Sequence, residues 1–272
     1  MKIRLDIPIN KRDDRFFKPE NIEKKINKLR SLDLKRADDG DIISALREII
    51  SYQPDPNVGH SVINMVSSSR LIMKGSTLYR VRICGDTLEE MKIESDAWNP
   101  PVKFANTGRV NKNGESVLYV AEDMETAMKE MKMQYDQYFW LIVYDVKKDI
   151  NVIDIGEYAH ENDEFDPAYR VIADFLKQEF TREVETGMEH EYVVSNLIAK
   201  FFYPYTTYKF DGWSYPSVAD KGSKCLCLAP HKARKKMKIN YAIKYLMLKD
   251  EIIPVHIAYL NKVRRFEYHT LT

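Results

Sequence analysis

Residues 108–130 read GRVNKNGESVLYVAEDMETAMKE. Gly108 and Gly114 bracket a polar loop, residues 116–121 alternate as a strand does, and Asp123 opens a helical pattern. Loop, strand, turn and helix thus follow one another within about two dozen residues, at ordinary element lengths. The unit carries an arginine, a strand tyrosine and a helix glutamate, and such a unit can wall a cleft.

Outward from it, LYRVRI at 78–83, WLIVYDV at 140–146 and NVIDI at 151–155 read as further strands. Helical patterns follow Asp123, Pro167 and Glu189. Crossover helices do not separate the strands regularly, which predicts an α+β class and not a doubly wound sheet. Near the C-terminus, INYAIKYLML, IIPVHIAYL and VRRFEYHTL are split by polar turns and predict a three-stranded meander. Pro19 to about Tyr52 is helical in spacing, with Ile22, Ile26, Leu29 and then Ile42, Ile43, Leu46, Ile49 and Ile50 recurring. The turn-rich QPDPNVG at 53–59 marks a boundary. The expected division is a helical appendage at 1–70, a mixed domain at 71–237 and a strand extension at 238–272.

Composition narrows the class. The 272 residues are enough to bury a real core, and 17 tyrosines fit a folded chain. Lys plus Arg (42) nearly cancels Asp plus Glu (41), so no global field points to nucleic acid or an anionic membrane as the main partner. Cys84, Cys225 and Cys227 make neither a disulfide framework nor a four-ligand zinc site, so a reducing cytoplasm is the expected location. No signal-peptide apolar region opens the chain and no run reaches membrane-spanning length.

The arginines carry the first chemistry. Arg80 and Arg82 lie two apart on a strand and share a face, so with Arg109 they would suit a pyrophosphate, whose oxygens match the guanidinium fork. The alternative is a solvated strand face. Tyr119 shares its strand face with Val117 and Ala121, and is either core or a stacking platform for a flat heterocycle. Glu130 lies roughly 120° from the centre of an apolar stripe taken as Met124, Ala127, Met128, Met131 and Tyr135. On that wheel it faces solvent unless neighbouring segments fold over it, in which case it can stabilise developing positive charge. Ser217 follows Pro216 at a strand end and is expected to be exposed; without a GxSxG elbow or a nearby histidine, hydrogen bonding to a ligand suits it better than nucleophilic attack. The six histidines are scattered and form neither HExxH nor a Cys/His cluster, so no metal is expected; neither a Walker loop nor GxGxxG is present, which argues against the common phosphate-cradling loops but not against nucleotide binding by arginines. The basic run from His231 to Lys238 reads as a solvated linker face, or as a surface for nucleic acid or an acidic partner.

LYRVR, GRVNKNGESVLYVAED with METAMKE, EYVVSNLIAKFF and FDGWSYPSVADKGSKCLCLAP together resemble, in order and spacing, the motifs of the RES domain family. The resemblance covers about residues 71–230. It implies an ADP-ribosyltransferase-like fold, and many members are toxins of RES-Xre pairs that consume NAD by hydrolysis or phosphorolysis of the nicotinamide bond. Matched motif by motif, it implies Arg80 (with Arg82 as its neighbour), Arg109, Tyr119, Glu130 and Ser217 as site residues. Of these it casts Glu130, Tyr119 and Arg109 as catalytic, and Arg80, Arg82, Arg109, Tyr119 and Ser217 as NAD-binding. Implied partners are NAD, inorganic phosphate and an Xre-type antitoxin. Protein or small-molecule ADP-ribosylation is the alternative within the fold, and a non-enzymatic binding module the alternative outside it. Lys112, Ser195 with Asn196, and Lys224 depart from the family pattern.

Overall fold

A computed structural model describes residues 18–52, 62–63, 68–85, 89–155, 167–185, 187–202, 210–249 and 251–271. The turn-rich boundary at 53–59 and the charged opening at 1–17 lie outside the described residues. In chain order come α1 (Pro19–Arg30), α2 (Asp39–Ile50), β1 (Ser51–Tyr52), β2 (Val62–Ile63), β3 (Ser68–Ile72) and β4 (Thr77–Ile83). Then follow β5 (Leu118–Ala121), α3 (Met124–Glu130), β6 (Gln137–Val146), β7 (Ile150–Asp154), α4 (Pro167–Thr181) and α5 (Val193–Leu197). The chain closes with β8 (Gly212–Pro216), β9 (Lys224–Leu228), α6 (Pro230–Lys236), β10 (Met237–Met247), β11 (Ile252–Leu260) and β12 (Phe266–Thr270). The class is α+β.

These elements form two compact units. The first gathers residues 1–68, 108–110 and 154–204. Its helices begin where the sequence supplies a start signal: Pro19 occupies the first turn of α1, and the Asp38 carboxylate accepts the Asp41 amide at the head of α2. Ile22, Ile26 and Leu29 of α1, Ile42, Leu46 and Ile49 of α2, and Ile172, Leu176 and Phe180 of α4 are all buried. Helical spacing put each of these sets on one stripe, and burial of such stripes, more than propensity, holds short helices.

The second unit holds a ten-stranded sheet in the order β12-β11-β10-β6-β4-β5-β9-β8-β7-β3. The terminal meander is therefore part of the main sheet, because β10 pairs antiparallel with β6 along almost its whole length. Alternation divides β4 between two cores. Leu78 faces Ile142, Tyr144, Leu118 and Leu226, whereas Val81 faces Ala121, Ala127, Phe139 and Leu141 beneath α3.

The helix after Asp123 is shorter than its apolar pattern implies. It ends at Glu130, and Lys132 takes φ 46, a left-handed turn that no helix continues through. Met131 and Tyr135, assigned to the buried stripe by the wheel, are 38% and 62% exposed. The buried face is instead Thr126 (0%) and Ala127 (6%). Glu130 stands four residues after Thr126 and three after Ala127, so it lies on that inward face and not away from it.

Candidate active site

Asp123 caps α3, its carboxylate accepting the Thr126 amide at 2.7 Å. One turn later the helix presents Glu130 to the turn after β8. There Glu130 Oε1 accepts the Ser217 hydroxyl at 2.5 Å and the Val218 and Ala219 amides at 3.2 and 3.4 Å. All three donors converge on one oxygen. Among the described residues, none donates to Oε2.

Ser217 is 6% exposed, not the open strand-end serine its context predicts. Its amide donates to Ser223 O at 2.8 Å and its Oγ accepts the Asp220 amide at 2.9 Å, so the chain turns inward around the hydroxyl. The Glu130 carboxylate then covers it.

Tyr119 stands on β5 between Leu118 and Val120, which face the larger core, and so projects to the other face, the one α3 covers. Its hydroxyl donates to Asn111 Oδ1 at 2.7 Å. The Asn111 amide nitrogen in turn meets the carbonyls of Asn106, Lys112 and Glu115 at 2.8, 3.1 and 3.0 Å, which ties the GRxN loop into one shape. Sequence reasoning missed Asn111; the signal was there, in a GRxN motif whose asparagine must do something. It also missed Tyr215, which register with Cys225 and of Cys227 with Tyr119 places on the Tyr119 face. Burial, the largest influence, pushes the Tyr215 hydroxyl well above its ordinary value, and Cys225, Tyr119, Cys227 and Glu130 add to that. It stays protonated.

Arg80 is on the opposite face. It opposes Ile142 on β6, beside the pair Leu78 and Tyr144. β4 and β5 are joined by one residue pair only, Tyr79 with Ala121, so Arg80 stands at the point where their ladder stops. Burial lowers its pKa below its ordinary value, more than the neighbouring Tyr144 raises it. Its Nη1 is buried without a hydrogen-bond partner among the described residues. Arg82 has a different fate: it donates to Glu89 at 2.5 Å and to Asp96 O at 3.0 Å.

Arg109 belongs to the helical unit. Its guanidinium lies 5.3 Å from the ring centre of Tyr192, and its Nη1 is likewise buried without a partner among the described residues. Ser195 donates to Arg109 O at 2.8 Å and Asn196 to Gly108 O at 2.6 Å. The two residues that depart from the family pattern on this helix thus hold the backbone of the arginine's own motif.

The basic run is not a linker, though His231, Arg234, Lys235 and Lys238 are exposed. It forms α6, where Lys232 donates to Phe210 O, Lys236 pairs with Asp211 at 2.6 Å, and Arg234 stacks 5.2 Å over Trp98. Among the described residues, no group of three or more His, Cys, Asp or Glu side chains could hold a metal. No described helix is long and apolar enough to cross a membrane.

An α+β sheet on which α3 carries a carboxylate to the serine of the β8–β9 turn defines a mixed-sheet protein with a polar site at one helix end. The RES domain family model matches residues 77–248, well over half of the chain, and the protein belongs to that family. Neither a curated protein nor a solved structure matches the chain. Family membership relates the chain to NAD-acting, toxin-like proteins.

Proposed function

We propose that the protein is an enzyme that breaks the bond between nicotinamide and ribose in NAD, by hydrolysis or phosphorolysis. The observation that carries this reading is Glu130: one carboxylate oxygen is held by three donors, and the other is met by none among the described residues. Departure of nicotinamide leaves an oxocarbenium-like ribose, and a fixed carboxylate stabilises that charge without having to reorganise. Nicotinamide leaves as a neutral heterocycle from a pyridinium, so no general acid is required. Water or inorganic phosphate then bonds to the anomeric carbon, and water gives up one proton in doing so.

Tyr119, oriented through Asn111, is assigned to the nicotinamide end, and Ser217 to a hydrogen bond beside Glu130. Arg80 and Arg109 are each assigned to an anion. A buried guanidinium nitrogen without a partner is costly, and an anion's oxygens would relieve that cost. Arg82, already bound to Glu89, is the lesser candidate. The reading extends to a cytoplasmic toxin or defence role restrained by an Xre-type antitoxin.

The deciding experiment incubates purified protein with NAD, with and without phosphate, and follows free nicotinamide. The wild type is expected to release it, and Glu130→Gln to lose on the order of 100-fold or more in kcat with the fold retained. Intact NAD after prolonged incubation with wild type would sink the proposal. ADP-ribose found on a macromolecule in place of solution would turn the reading toward a transferase.

A further inference from the structure

We propose that Asp220 is a positioning residue, clamping the turn after β8 to α3 so that the Ser217 hydroxyl and the 218–219 amides stay aimed at Glu130. The proposal rests on the reading of Glu130 as the working carboxylate. It goes beyond that reading in naming a residue that touches neither Glu130 nor any assigned ligand-binding group by its side chain.

Asp220 lies on the loop yet reaches back to the helix twice. Its Oδ1 accepts from Lys129 at 2.9 Å, and its Oδ2 lies 2.7 Å from the Thr126 hydroxyl. Oδ2 also accepts the Ser223 hydroxyl at 2.9 Å, which closes the turn on itself, while the Asp220 amide donates to Ser217 Oγ. One side chain therefore ties the helix to the far limb of the turn, and its own backbone holds the serine.

The spacing on α3 explains the arrangement. Thr126 and Glu130 are one helical turn apart on the same face, so a threonine bonded to Asp220 sets where the glutamate meets Ser217. Thr126 is fully buried, and its hydroxyl sits between Asp220 and the cap Asp123, at 2.7 and 2.6 Å. Its single proton serves one carboxylate at a time. Lys129 supplies the charge that lets a second carboxylate stand so near, and it is also paired with Glu125 at 2.7 Å. Lys129, Thr126 and Ser223, in that order, pull the Asp220 carboxyl down to about 2, so the clamp is ionised at any working pH.

An error of one ångström between a catalytic group and its partner can cost on the order of 100-fold in rate. Asp220→Asn removes the charge that Lys129 binds, and Thr126→Val removes the hydroxyl at nearly constant volume. Each is expected to lower kcat for nicotinamide release by tenfold to about 100-fold, with KM for NAD held within about twofold. Thr126→Ser, which keeps the hydroxyl, is expected to recover most of the loss. The double variant should be less damaged than the product of the two, since both cut one linkage. Hydrogen exchange at the Val218 and Ala219 amides should accelerate in Asp220→Asn while the β6 amides hold their rates. Unchanged kcat in both single variants, or equal losses in kcat and KM with β6 exchange also raised, would overturn the positioning role. If the wild type releases no nicotinamide, the NAD reading falls and the exchange rates decide the clamp alone: acceleration at 218 and 219 sustains it, unchanged rates end it.

Discussion

Asn111 is the residue on which the tyrosine end of the site depends. It is buried, and its amide meets three carbonyls of its own loop. Replacing it with alanine takes from those carbonyls and from the Tyr119 hydroxyl the bond each makes to it. Asn111→Ala should cost roughly 2–3 kcal/mol, measured by urea denaturation, because several hydrogen bonds of one buried side chain are lost together. Tyr119→Phe removes only a donor whose partner keeps its other bonds, so about 0.5–1.5 kcal/mol is expected. A reversed order of the two effects would mean that the tyrosine holds the loop. Glu130 shows where residue-level reading reached its limit. Periodicity alone chose Met131 and Tyr135 as helical partners, and only the left-handed turn at Lys132 reveals that the helix has already ended. A wheel built on residues beyond the helix gives the wrong face. Ser217 failed in a related way: a strand end is usually exposed, but a carboxylate 87 residues earlier in the chain covers this one.

Among the elements, strands and helix starts were legible because each has a local cause. The alternation of LYVA, the cap Asp123 and the first-turn prolines of α1, α4 and α6 act over a few residues. Pairing order is not local, and nothing in FDGWSYP announces that β8 will lie against β9 at van der Waals limit. There a Cβ on Gly212 would stand 2.0 Å from Cys227 O and 2.8 Å from the Leu228 Cα. Both are backbone atoms, which cannot step aside. Gly212→Ala should therefore destabilise by at least about 1–3 kcal/mol, read as a lower urea midpoint at unchanged slope. The clamp between α3 and the β8–β9 turn makes a prediction in pH. The Asp220 carboxyl is lowered from 3.8 to about 2 in the folded chain. A depressed carboxyl binds its proton more readily when unfolded, so its contribution to stability is complete above about pH 4 and fades as pH falls through 2. The stability gap between wild type and Asp220→Asn should thus be constant at neutral pH and close between about pH 4 and 2. A gap that instead widened on acidification would mean that the carboxylate is not bound as an ion.

At the scale of the whole chain, the family match ends at 248, just past β10, while the sheet continues through β11 and β12. Those strands are not an ornament on the edge. Phe266 and Ala258 belong to the same buried cluster as Leu78, Trp140 and Tyr144. β12 also holds the segment from Met91 to Asp96. Tyr268 donates its hydroxyl to Met91 O, the Phe266 amide donates to Lys92 O at 3.2 Å, Ile93 bridges Arg265, and Arg264 pairs with Glu94 at 2.8 Å. That segment in turn supplies the Asp96 carbonyl that accepts from Arg82, and the next residue, Ala97, accepts the Tyr144 hydroxyl beside Arg80. A line of contacts thus runs from the last strand, through residues 91–97, to the arginine face of β4. Phe266 is 7% exposed, and Phe266→Ala should cost about 3–5 kcal/mol, since the loss of the ring is compounded by the cavity it leaves. Deleting 249–272 is expected to be worse, removing the Tyr268 ring that lies 5.7 Å from that of Trp140 and leaving β10 as an apolar edge open to aggregation. Both can be compared with Glu130→Gln by denaturation and nicotinamide release. If β11 and β12 are integral, Phe266→Ala loses stability while the remaining folded fraction keeps its kcat, whereas Glu130→Gln does the reverse. A truncated chain ending at 248 with undiminished stability would show that the family boundary is also the boundary of the folding unit.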